Sequence, residues 1–167
     1  YQLLYRVYYT DIIGKHANQY QMDPLFVAAM IREESRYNAK ILSSAGAVGL
    51  MQIMPETGSE LAQRLRLGPF RDDMLYDPDI NIQMGTSYMK KLMEQFENNI
   101  ALVAGAYNGG PNRIARWVRE MNIPDLDEFI EDIPIVETRR HIKKVLDSYY
   151  MYQELYSNLN LLGAEKL

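Results

Sequence analysis

The sequence predicts a mainly helical fold (mainly α, with at most a small β element). Three observations carry this. Apolar residues recur at i, i+3, i+4 over most of the chain, the spacing of one helix face. No stretch of ordinary strand length alternates apolar and polar residues, so any sheet is small and belongs in residues 39–60. Glycine and proline break the helical stretches at Asp23-Pro24, Leu67-Gly68-Pro69 and Gly109-Gly110-Pro111.

Taken in order, Tyr1 to Tyr20 contains one helix, with Tyr9, Ile12, Ile13, His16 and Tyr20 at helical spacing. His16 reads as a packed or surface histidine. Asp23 can accept from free backbone N–H groups and Pro24 fits a first helical position, so a second helix runs from Leu25 to Ser35 and ends near Tyr37-Asn38. Residues 39 to 49 form a loop. Gly49 to Met54 is a short helix or irregular segment ended by Pro55-Glu56-Thr57-Gly58, and Thr57 caps a helix through Glu60, Leu61 and Leu65. Residues 70 to 79 are an acidic loop. Ile80 to Phe96 is amphipathic, with Met84, Tyr88, Met89, Leu92, Met93 and Phe96 on one face. Ile100 to Tyr107 is apolar almost throughout and reads as a buried helix. Asn112 to Glu120 presents Ile114, Trp117 and Val118. The last helix runs from about Glu137 to Leu155, with Ile142, Val145, Leu146 and Tyr149 inside.

The 167 residues suit one domain, 1–167, with no repeat or linker to divide it. The chain opens at Tyr1 without a signal peptide and reads as a fragment or mature domain of a longer precursor. A net charge of −4 argues against general nucleic-acid binding, which favours strongly basic domains. Arg139, Arg140, Lys143 and Lys144 form a basic cluster, read as a helix face balanced by nearby acids. With no cysteine and two histidines there is no thiolate site and no His-rich zinc site, the acidic pairs lack the spacing of a calcium loop, and no metal dependence is expected. No apolar run approaches the ~18 residues of a membrane span. Thirteen tyrosines offer flat apolar faces with polar tips, which suit both a core and a sugar ring.

The chemistry begins on the second helix. At about 100° per residue, Val27, Met30 and Ile31 form one stripe and Glu34 falls in its middle. Glu33 falls at the edge, near Phe26 and Ala29, within reach of water. Desolvation disfavours a carboxylate, and a carboxyl that stays protonated near neutral pH serves as a general acid. The competing reading has Glu34 turn to solvent or pair with Arg36. After the helix, Ser43 to Gly49 is small and glycine-punctuated, so its backbone can turn tightly and approach a ligand.

Glu34-Ser35, Gly49-Leu50-Met51-Gln52 and Ala106-Tyr107-Asn108 stand in that order along the chain. Together they resemble the ordered signatures of the soluble lytic transglycosylases of bacterial cell walls. Asp77-Pro78 with Asn81-Ile82 and Met84-Gly85 looks like that family's connecting helix. Pro134 followed by Glu137-Thr138-Arg139 looks like its fourth signature. The resemblance runs from about Tyr20 to Tyr152. It implies a lysozyme-like α+β fold, related to goose-type lysozyme, with a groove for glycan. It also implies cleavage of the β-1,4 bond between N-acetylmuramic acid and N-acetylglucosamine, leaving a 1,6-anhydromuramyl end.

Most glycosidases flank the bond with two carboxylates, with exceptions when substrate groups assist. Only one well-placed carboxyl is visible here. The resemblance implies that the 2-acetamido oxygen supplies the nucleophile and the C6 hydroxyl replaces water. Glu34 then protonates the leaving oxygen and later deprotonates the C6 hydroxyl. Ser35 bonds near that carboxyl or near sugar. Gln52 and Met54 line the groove. Tyr107 orients Glu34 or the acetamido group, Asn108 fixes the loop or sugar, and Glu137 bonds within the site. The family has tyrosine four residues after the position of Glu137, where this chain has His141. An imidazole titrating near pH ~6.5 would spoil the acid as it charges. The site is therefore expected to work with His141 neutral, and activity to fall on the acid side. The resemblance further implies peptidoglycan strands as partner, the periplasm or cell envelope as location, a monomeric catalytic domain and no cofactor. The rival readings are a lysozyme-type hydrolase and a peptidoglycan-binding domain without turnover.

Overall fold

The structure is a computed structural model and describes residues 4–156. Tyr1, Gln2 and Leu3 of the expected first helix lie outside the described residues. Eight α-helices are described: α1 (Thr10–Tyr20), α2 (Pro24–Ser35), α3 (Pro55–Leu65), α4 (Pro78–Gln95), α5 (Ile100–Gly109), α6 (Pro111–Met121), α7 (Leu126–Asp132) and α8 (Val136–Tyr156). No strand occurs among the described residues. The β element is two isolated antiparallel bridges, Leu42 with Val48 and Val48 with Ile53, inside the expected 39–60. The chain forms two compact units: residues 1–90 with 148–167, and residues 91–147.

In the first unit, α1 begins later than its apolar spacing suggests. Tyr9 stands in the left-handed region at φ 56, so it precedes the helix and does not share its stripe. The buried face is Ile13, Gly14, His16 and Ala17. His16 is packed, with Nε2 2.9 Å from an Asp79 carboxylate oxygen that also accepts from Lys15 at 2.8 Å. These partners, the Lys15 hydrogen bond foremost, hold the Asp79 carboxyl below its ordinary range. The start of α2 follows its sequence signal: the Asp23 side chain accepts from the Leu25 N–H at 2.8 Å, with Pro24 at the first position. Phe26 through Ile31 are all buried. The helix ends because Arg36 and Tyr37 both turn left-handed, at φ 53 and 64. Such backbone persists only where its surroundings hold it. Here the Tyr37 hydroxyl donates to the Ala28 carbonyl at 3.1 Å and lies 2.9 Å from the Tyr152 hydroxyl. Burial pushes the Tyr37 phenol well above its ordinary range.

Pro55 opens α3 where the sequence suggested an ending, and Met54, not Thr57, stands at its N-cap. The residue before a proline is driven to extended backbone, and proline fits the first helical position. Both rules place the boundary at Met54-Pro55. The acidic stretch expected as loop contains a 3-10 turn, Asp72–Tyr76. The end of α8 belongs to this unit and is bonded to α2. Ser148 Oγ donates to Glu33 at 2.6 Å, and the Tyr149 hydroxyl donates to Asp23 at 2.6 Å.

In the second unit, Asn99 caps α5 by accepting from the Ala101 and Leu102 N–H groups. Val103, Ala104, Gly105 and Ala106 are buried in it. A Cβ on Gly105 would come within 2.9 Å of Ile142 Cδ1, so a larger residue there would push that side chain aside. On α6, Ile114 and Trp117 are buried but Val118 is exposed, outside the face the sequence assigned it. In the basic cluster of α8, Lys143 pairs with the Glu131 carboxylate and Arg139 donates to the Glu131 backbone carbonyl at 2.8 Å.

Candidate active site

Helix α2 carries two adjacent carboxyls, and they have different surroundings. The Glu33 side chain is 4% exposed. Its carboxylate lies 3.5 Å from Arg32 Nε and 3.2 Å from Arg36, and it accepts from the Ser148 hydroxyl. This reverses the expectation that Glu33 reaches water. It also pairs Arg36 with Glu33, three residues before it. Residues two apart do not face each other on a helix, whereas residues three apart do. Glu34 is half-buried in the last turn of the same helix. Ser35 is buried, and its hydroxyl donates back to the Ile31 carbonyl at 3.2 Å.

The loop after α2 is built by close backbone approaches. Gly49 stands at φ +78, and a Cβ there would lie 2.3 Å from the Leu75 carbonyl oxygen. Asn81, fully buried near the start of α4, supplies three hydrogen bonds. Its Nδ2 donates to the Val48 and Leu75 carbonyls at 3.0 and 2.8 Å, and its Oδ1 accepts from the Met51 N–H at 2.8 Å. Met51 packs on Gly85, where a Cβ would meet its sulfur at 2.3 Å. Gln52 is left-handed at φ 49, and its Nε2 donates to the Gly49 carbonyl at 2.9 Å. Met54 is 39% exposed at the end of the same loop, next to α3. An exposed methionine after a buried Ile53 is available for apolar contact with a ligand.

The second unit holds the remaining candidates. Tyr107 is half-buried in the last turns of α5, and Asn108 beside it is exposed. Asn108 Oδ1 accepts from Thr138 Oγ1 at 3.0 Å. A Cβ on Gly109 would lie 2.9 Å from that same Oγ1, so the signatures around 106–109 and 137–139 fit against each other. Glu137 is exposed in the first turn of α8. His141 follows one turn later. Burial, with the Lys144 charge as a lesser cause, pulls its pKa down to about 4. His141 is thus neutral without help from pH across the ordinary working range. The acid-side loss of activity expected from an imidazole titrating near its ordinary value does not follow.

Asn81 was not among the residues singled out for the site. Its signal was present: it stands three and four residues before Met84 and Gly85, a polar residue on an apolar stripe. The partner of Glu33 carried no such signal, because Ser148 lies 115 residues away.

Comparison with known proteins follows this geometry. The family model described as transglycosylase SLT domain matches residues 11–130. The soluble lytic murein transglycosylase of Escherichia coli is 37% identical over 148 residues, covering 86% of this chain and 23% of that protein. The chain thus spans about a quarter of that relative's length. The solved 70 kDa soluble lytic transglycosylase of Escherichia coli superposes with a TM-score of 0.88 at 30% identity, covering 99% of this chain and 28% of that one. An inactive glutamate-to-glutamine mutant of the lytic transglycosylase Slt of Pseudomonas aeruginosa gives a TM-score of 0.88 at 28% identity, covering 93% and 25%. With its helical fold and its ordered signatures, the chain belongs to the transglycosylase SLT domain family.

Proposed function

We propose that this chain is the catalytic part of a peptidoglycan lytic transglycosylase, with Glu34 as its acid and base. The observation that carries this is the division of labour on α2. Glu33 is paired with Arg32 and Arg36 and bonded to Ser148 as part of the fold, so of the two carboxyls it is Glu34, in the first signature, to which we assign the chemistry. In its protonated form the Glu34 carboxyl is the acid. That form protonates the leaving glycosidic oxygen. The carboxylate left behind takes the proton of the muramic C6 hydroxyl as that oxygen attacks C1 and closes the 1,6-anhydro ring. Proton and sugar valences balance with no water and no cofactor consumed.

Gln52 and Met54 line the sugar groove in this reading, one through its amide and one through apolar contact. Ser35 supports the end of α2 through its bond to Ile31. The family resemblance assigns Tyr107, Asn108, Glu137 and His141 to substrate, Tyr107 in a kinetic role. The name of the Escherichia coli relative, a soluble lytic murein transglycosylase, supports murein as substrate. The partner is therefore the glycan strand of the wall, and the place of action the periplasm or envelope. The enzyme acts as a monomer.

The test is mass spectrometry of muropeptides released by wild type and Glu34→Gln. Wild type is expected to release anhydromuramyl ends. Products carrying one added water would identify a hydrolase. Glu34→Gln keeps the volume and loses the transferable proton, so cleavage should fall by roughly 10²–10⁴-fold or more while glycan binding persists. Retention of a tenth of the activity would move the role elsewhere. Tyr107→Phe should lower kcat more than it raises KM, since an interaction that strengthens in the transition state acts on kcat.

A further inference from the structure

We infer that Asn81 is a positioning residue for the Gly49–Gln52 loop, setting the shape of the sugar groove from a place where no substrate reaches. The inference rests on the glycan-cleaving reading above for its kinetic consequence, and on geometry alone for its structural one. Asn81 is fully buried, so it cannot touch glycan. Its amide is nevertheless the point where two segments of the chain meet: the loop, through Val48 and the Met51 backbone, and the 3-10 turn, through Leu75. Every polar atom of the side chain is used. Oδ1 takes one N–H, and Nδ2 gives its two hydrogens to two carbonyls.

A loop of this kind lacks a ladder of its own. Two isolated bridges and the Gln52–Gly49 contacts are among its local bonds. Asn81 adds a donor and an acceptor from outside the loop, and both are directed at residues 48–52. The two glycines sharpen the point. Gly49 lets the loop come down onto Asn81 Nδ2, which a Cβ would approach to 2.5 Å. Gly85, one turn along α4 from Asn81, lets the Met51 side chain lie flat on the helix. Position 81 fixes the loop backbone and position 85 receives its side chain. Gln52, the residue proposed to bond sugar, is next to the amide that Asn81 holds.

Aspartate in place of Asn81 keeps the acceptor for Met51 but turns an oxygen toward two carbonyl oxygens, which repel it. Alanine removes all three bonds and leaves the Leu75 carbonyl and Met51 N–H without this partner. In both cases the loop should loosen while Glu34, on α2, keeps its place. The experiment is amide hydrogen exchange and steady-state cleavage of peptidoglycan for wild type, Asn81→Ala and Asn81→Asp. In wild type the Met51 amide should exchange at least 100-fold more slowly than a free amide. In the folded variants, exchange at 48–52 should quicken at least tenfold with α2 unchanged. KM for glycan should rise about tenfold, and the pH dependence of kcat should stay as in wild type.

A Met51 amide that exchanges freely in wild type overturns the inference, whether or not the variants fold. So does a folded variant whose loop exchange and KM equal those of wild type. A changed pH profile of kcat would also overturn it, because Asn81 would then act on the acid and not on the groove. A wild-type protein inert on peptidoglycan would instead defeat the proposed function, while the exchange data still judge the loop.

Discussion

Glu33 and Glu34 have the same side chain and adjacent places, yet substitution should separate them. Glu33→Gln leaves Arg32 without its carboxylate in a mostly buried place, so stability should drop by roughly 1–3 kcal/mol. Cleavage by the folded fraction should persist. Glu34→Gln should show the reverse: an unchanged thermal midpoint and lost cleavage. Thermal denaturation beside a turnover assay reads both. The helix wheel sets Glu34 on an apolar stripe, and in the structure it is half-buried in the last turn of α2. The wheel misplaced Glu33, because the groups that neutralise it include a serine far along the chain, and burial by a distant segment leaves no local mark. His141 teaches a similar lesson. Its position in the fourth signature was legible, but the burial that pulls its pKa to about 4 was not. The folded state refuses a proton that the unfolded chain accepts between the ordinary histidine value and pH 4. Stability tied to His141 is therefore present above the unfolded value and lost as pH falls toward 4, by roughly 2–3 kcal/mol. His141→Tyr should flatten that part of the stability curve, measured by denaturant titration at a series of pH values.

Among the elements, the loop from residue 43 to residue 54 has the most exacting fit. Gly49→Ala meets two obstacles at once, a left-handed φ and a backbone oxygen 2.3 Å from the new Cβ. A cost on the order of 2–4 kcal/mol is expected, since neither obstacle is a flexible side chain. Gly85→Ala meets the Met51 side chain, whose sulfur can move, so its cost should be smaller. Comparing the two midpoints of unfolding checks the order. Helix existence was legible throughout, because amphipathic spacing repeats over many residues. Boundaries were less so. Asp23-Pro24 was read correctly as a start, yet Met54-Pro55 was read as an end. The same proline rule permits both, and the glycine-rich run before Pro55 resembles the tail of an element.

For the whole molecule, the first unit is discontinuous in sequence: residues before 91 are completed by residues after 147. Ser148, Tyr149 and Tyr152 each bond a partner on α2 or just beside it, namely Glu33, Asp23 and Tyr37. A chain ended at Asp147 should lose all three bonds and unfold its first unit without a single sharp transition, which circular dichroism melting would show. Nothing in local spacing announces this closure. The apolar stripe of the last helix said that it packs, and the identity of what it packs on required the fold. The closure also sets an order of events at the ribosome. Glu33 emerges 115 residues ahead of Ser148. At ~5–20 residues per second, that gap is on the order of ten seconds of translation. During it, the helix bearing the proposed catalytic acid has its arginines but not its clamp, so the first unit is complete only when α8 has been made.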